Sequence, residues 1–145
     1  MVAFVRVDDA PIRLRQMVYQ PDGVLILDQT LVSVVDVTAG LKPESWVLLN
    51  AADTAEPPAP VRKFTVYTVD ATTIAASLGL GTRGMPMVNT AMLGALARIG
   101  GIAELDHVLA AIPEVVPVKI EANLEAARMA FAALRHAAAA EARAT

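Results

Sequence analysis

Acid or amide side chains close three short apolar runs: Asp28 after residues 24–27, Asn50 after 46–49 and Asp70 after 65–69. A carboxylate at a strand end can act as an acid or hold a ligand. More often its oxygens accept the first N–H groups of the following turn. Gly79-Leu80-Gly81-Thr82-Arg83-Gly84 matches the GxGxxG spelling. A dinucleotide loop needs a strand before it and a helix opening from it. Here residues 71–78 read as helix, and no acid closes a strand about 20 positions later. The segment is therefore read as a glycine loop. Ser33, Ser45 and Ser77 lack the Gly-x-Ser-x-Gly context of an activated nucleophile. His107 and His136 sit in helical sequence without a second ligand four residues on. No self-sufficient active site emerges.

Asn89-Thr90-Ala91-Met92-Leu93-Gly94-Ala95 is the most specific local feature. Asn89 is placed to cap a helix, leaving backbone N–H groups facing a ligand or a partner. Gly94 inside that helix costs about 1 kcal/mol against alanine, so another backbone must approach closely there. The approaching backbone belongs either to a partner or to this same chain.

Two kinds of sequence must position these groups. The first half is rich in Val, Leu, Ile and Thr in short runs, a strand composition. Residues 2–7 and 12–14 read as a hairpin around the Asp8-Asp9-Ala10-Pro11 turn. The three apolar runs suit parallel strands covered on both faces, and residues 29–35 a short helix. Residues 51–60 form a proline-rich loop. The second half is rich in Ala, Leu, Met and Glu at helical spacing. Helices are expected over 71–78, 89–99, 105–112 (ended by Pro113) and 119 to about 143. The expected fold is α/β: one Rossmann-like, open, mostly parallel sheet with an N-terminal hairpin and C-terminal helices. It forms a single domain over residues 1–145.

Composition narrows the function. The chain is 55% hydrophobic, with a mean hydropathy of +0.49. No apolar run approaches the roughly 20 residues of a membrane span, so the excess belongs to alanine-rich helices and a subunit interface. The net charge of −3 and scattered Lys and Arg give no footprint for nucleic acid. Zero cysteine removes disulfides, zinc thiolates and iron–sulfur ligation by this chain, and two histidines make a His-rich metal site a poor expectation. Met1–Asp9 carries Arg6, Asp8 and Asp9, unlike a secretory or transit peptide, and zero cysteine fits a reducing cytoplasm, the expected location.

One family gathers these features. Phe4-Val5-Arg6-Val7-Asp8-Asp9-Ala10-Pro11-Ile12-Arg13 resembles the hairpin of pyruvate:ferredoxin oxidoreductase gamma subunits. Tyr19-Gln20-Pro21-Asp22 leading to Asp28, Val69-Asp70-Ala71-Thr72, the Val88–Ala95 block and Asn123-Leu124-Glu125-Ala126 follow in that family's order. Members usually begin with a strand, a Gly-Gly-Gln-Gly-type loop and a helix. This sequence starts just before the hairpin, which would leave a sheet edge exposed.

The resemblance implies a subunit that carries no redox cofactor of its own. Thiamine diphosphate with magnesium and [4Fe–4S] clusters belong to partner alpha, beta and ferredoxin-like delta subunits. Coenzyme A is the co-substrate and ferredoxin the electron acceptor. Asn89, Thr90 and Met92 are then expected to contact a partner or the coenzyme A side, with Asp70 holding the preceding turn. Pyruvate is the default oxoacid, with 2-oxoglutarate, oxalate, indolepyruvate and phenylglyoxylate open. The competing readings are a free-standing α/β ligand-binding domain built on Gly79–Gly84, and a purely structural subunit.

Overall fold

The structure is a computed structural model that describes residues 1–137. The three apolar runs become parallel strands: β1 (Gly23–Ile26), β2 (Trp46–Asn50) and β3 (Thr65–Val69). Gly23 pairs with Trp46 and Trp46 with Thr65, and the register continues in step to Asn50 opposite Val69. After β3 come α1 (Ala71–Ser77), the short strands β4 (Gly81–Thr82) and β5 (Met85–Pro86), then α2 (Asn89–Ile99). α3 (Leu105–Val115), α4 (Ile120–Ala133) and β6 (Arg135–Ala137) follow. β6 adds antiparallel to the free side of β3, so the sheet order is β1-β2-β3-β6.

Because strand side chains alternate between faces, one sheet feeds two cores. Leu48 and Val69, with Leu25, Trp46 and Tyr67 around them, pack under α1, α2 and α4. Ile26, Val47, Leu49 and Val66 point the other way, against Val32, Val61 and Phe64 of the connecting segments. Each fully buried leucine contributes about 1.5–3 kcal/mol.

The helical layer rests on a seam of small residues. Ala91 and Ala95 of α2 and Ala126, Ala127 and Ala130 of α4 are all completely buried. A Cβ on Gly94 would overlap the backbone carbonyl of Ala127. The close approach that Gly94 requires is therefore to α4 of the same chain. These five alanines serve this contact, since only small side chains let two helix backbones come so near.

Several local expectations change. Residues 1–22 contain no strand. The 2–7/12–14 hairpin keeps its turn, where the Ala10 N–H donates to Asp8 Oδ1 at 3.1 Å. In place of a strand ladder, the Arg6 guanidinium of the first arm reaches past the second and donates to the carbonyls of Gln16 (3.4 Å) and Met17 (3.2 Å). Two short arms with no third strand beside them make a marginal ladder. Residues 29–35 form a shorter 3₁₀ turn, Gln29–Ser33, capped by Asp28. The 79–84 glycine segment forms a hairpin, with β4 and β5 paired and Gly81 at a φ of +83°.

Pro113 lies inside α3, which runs to Val115. The last helix ends at Ala133, so His136 is on a strand; the rest of the expected helix, beyond Ala137, lies outside the described residues. Pairing with the β3 edge overrides helical propensity at Arg135–Ala137.

Candidate functional site

The carboxyl ends of β1, β2 and β3 meet in a hydrogen-bond network centred on Asn50. Its Nδ2 donates to the Leu27 carbonyl and to Thr72 Oγ1, both at 2.9 Å. Its Oδ1 accepts the Thr72 N–H at 3.3 Å. One side chain thus ties the end of β1 to the end of β2 and the start of α1. The burial of Asn50 suits this full use of its amide.

The acids flanking Asn50 act as caps. Asp28 Oδ1 accepts from the Thr30 N–H (2.9 Å) and hydroxyl (2.7 Å). Those two bonds, the hydroxyl's first, hold the Asp28 carboxyl below its ordinary value. Asp70 accepts from the Thr73 N–H (2.9 Å) and hydroxyl (2.8 Å), opening α1. Asp53 pairs with Arg135 of β6 at 3.2 Å. Asp28, Asp53 and Asp70 thus follow the ends of β1, β2 and β3, like charges that disfavour an anion such as a diphosphate beside them.

The Asn89 block sits elsewhere. Asn89 is exposed and is the first residue of α2, not its cap. Val88 holds that position and makes no side-chain cap bond. Thr90 is buried, its hydroxyl donating to Asn123 Oδ1 of α4 at 2.7 Å. Met92 is 1% exposed and belongs to the main core. Asn123 Nδ2 in turn donates to the Lys119 carbonyl at 2.9 Å. Lys119 has a left-handed backbone (φ 52°), and its ammonium donates to the Gly79 carbonyl. No hydrogen bond among the described residues joins this cluster to the Asn50 network.

The remaining candidates are engaged locally. The hydroxyls of Ser33, Ser45 and Ser77 donate to the carbonyls of Thr30, Pro21 and Ile74. His136 lies against the Tyr67 ring, with 5.2 Å between centroids, and His107 is exposed on α3. No group of three or more metal-ligating side chains gathers among the described residues. Sequence reading identified Asp28 and Asp70 as strand-end caps. It missed the partnership of Asn50 with Thr72 and of Thr90 with Asn123. The one available signal was a lone amide closing the run Trp46-Val47-Leu48-Leu49.

Comparison with known proteins follows the same course along the chain. Residues 1–133 match the family described as pyruvate ferredoxin/flavodoxin oxidoreductase. Pyruvate synthase subunit PorC of Methanothermobacter marburgensis is 44% identical over 137 residues, covering 94% of this chain and 73% of that protein. The pyruvate/ketoisovalerate oxidoreductases common subunit gamma of Pyrococcus abyssi is 41% identical over 135 residues, 90% of this chain and 71% of that one. The crystal structure of pyruvate oxidoreductase subunit PORC from Thermotoga maritima aligns with a TM-score of 0.68 at 28% identity. That alignment covers 83% of this chain and 67% of the other.

Proposed function

Because the chain belongs to the pyruvate ferredoxin/flavodoxin oxidoreductase family, we propose that it is the gamma-type subunit of a complex that oxidatively decarboxylates a 2-oxoacid, pyruvate first. The reaction converts the 2-oxoacid, coenzyme A and two oxidised ferredoxins into acyl-CoA, carbon dioxide, a proton and two reduced ferredoxins. Residues 1–145 act as one domain, in the cytoplasm, beside alpha-, beta- and delta-type subunits.

The observation that carries this reading is the match to the family over residues 1–133, in a chain whose polar groups are spent on holding its own backbone. With zero cysteine the chain does not fit an iron–sulfur cluster, and no nucleophile–base pair forms among the described residues. Thiamine diphosphate, magnesium and the clusters therefore reside in the other chains, and no chemical step is assigned here. Asp70, as the cap of α1, holds the turn beside the subunit or coenzyme A-side contact. Asn89 offers the exposed polar contact at the start of α2, while Thr90 and Met92 fix that helix from inside.

Alanine at Asp70 and at Asn89 tests the contact role, read as yield of assembled complex and 2-oxoacid-dependent viologen reduction. Unchanged assembly and turnover in both variants would remove these residues from the interface. No comparable observation favours a free-standing nucleotide-binding domain. Gly81 and Thr82 pair with Met85 and Pro86 in a hairpin, so the glycine segment opens no helix.

A further inference from the structure

Helix α4 ends where its sequence gives no stop signal. Neither glycine nor proline occurs from Ile120 to Thr145, and six of the eleven residues after Leu134 are alanine, the strongest helix former. The apolar stripe Ile120, Leu124, Ala127, Phe131 and Leu134 also runs past the last helical residue, Ala133. Even so, Leu134 leaves the helical conformation (φ −56°, ψ 132°), and Arg135–Ala137 pair with β3. Alanine is depleted in strands. The ladder is short, joining Arg135 to Thr68, His136 to Tyr67 and Ala137 to Val66.

Side chains from outside the segment hold this ending in place. Arg98, in the last turn of α2, donates to the Phe131 carbonyl at 3.0 Å and lies over the Phe131 ring at 5.2 Å. That carbonyl is the one an uninterrupted α4 would offer to the Arg135 N–H, four residues on. The guanidinium therefore occupies the bond by which the helix would continue. Arg135 instead reaches Asp53, beyond the end of β2, at 3.2 Å. His136 lies against Tyr67 of β3, with 5.2 Å between ring centroids. The charged ties are individually weak, because Arg98, Asp53 and Arg135 are all exposed.

We propose that residues 134–137 form a helix–strand switch. In one form they close the sheet as β6. In the other, α4 runs on through Ala137, the Phe131 carbonyl passes from Arg98 to the Arg135 N–H, and the edge of β3 is released. Leu134 follows Phe131 by three residues, so it stays on the core-facing stripe in both forms. Local helix preference thus opposes a few long-range ties, and a partner that prefers one form selects it. The switch is independent of the subunit reading above.

Saturation-transfer NMR on the full chain, labelled with ¹³C and ¹⁵N, tests this on the timescale of such exchange. The expected finding is a minor form, populated at about 0.1–10%, with helical Cα shifts at Arg135, His136 and Ala137. Asp53→Ala combined with Arg98→Ala is expected to raise that population about tenfold, each exposed tie counting a few-fold. Ala137→Val is expected to lower it, since a β-branched side chain favours strand over helix. All three positions are exposed or half-buried, so the remaining fold tolerates the changes.

Absence of a second form in the double variant overturns the switch. So does a second form whose shifts at residues 135–137 are those of an unstructured chain. A helical form whose population ignores the Asp53 and Arg98 changes overturns it equally, because the ties named here would then not govern it.

Discussion

Alanine in place of Asn50 would remove three hydrogen bonds at once, one to the Leu27 carbonyl and two shared with the Thr72 hydroxyl and N–H. Each such bond contributes about 0.5–1.5 kcal/mol net, so Asn50→Ala is expected to destabilise the chain by about 1.5–4.5 kcal/mol. Denaturant unfolding measures this. Asp70→Ala removes only the cap of α1 and is expected to cost about 1 kcal/mol. Asp28 gives a pH signature. Its folded-state carboxyl titrates below the ordinary value of 3.8 because the Thr30 hydroxyl and N–H hold the charged form. That stabilisation is complete above the unfolded value and is lost as pH falls through the lower folded one. The stability gap between the wild type and Asp28→Ala is thus expected to stay constant from neutral pH to about pH 5 and to close below it. A gap that widens on acidification would contradict the cap.

Helix α2 succeeds or fails by its fit to α4. Gly94→Ala would gain up to about 1 kcal/mol of helix propensity, yet its Cβ overlaps the Ala127 carbonyl. Overpacking of this kind costs about 1–3 kcal/mol, so a net loss is expected in thermal or denaturant unfolding. Gly84→Ala, in open space at the hairpin tip, is expected to stay within about 0.5 kcal/mol. The same contrast explains which elements were legible in the sequence. The strands at 24–27, 46–49 and 65–69 and the helix at 89–99 announce themselves by apolar run or period, because burial on both faces or on one stripe dictates composition. β6 does not, because its pairing partners on β3 lie about 70 residues earlier, and Ala-rich sequence continues the helical pattern across Leu134. Gly94 revealed a close approach without saying whose backbone approached, and Asn50 revealed a polar strand end without naming Thr72. Pairing across distance is what local sequence omits.

The whole molecule is a four-stranded sheet with β1 and β6 at its edges, its helices α2 and α4 packed closely together, and Asp28 and Asp70 at the strand ends committed to caps. Such a body suits a subunit that supplies shape and contact while other chains hold the reacting groups. The relatives whose names include pyruvate synthase and oxidoreductase subunits match it over nine-tenths of its length. The most direct test is to purify the tagged chain gently from its native host and assay 2-oxoacid-dependent viologen reduction on the eluate. The expected result is a brown, iron-containing complex that reduces viologen with pyruvate and requires thiamine diphosphate and coenzyme A. A colourless, homogeneous single chain without oxoacid-dependent activity would contradict the account.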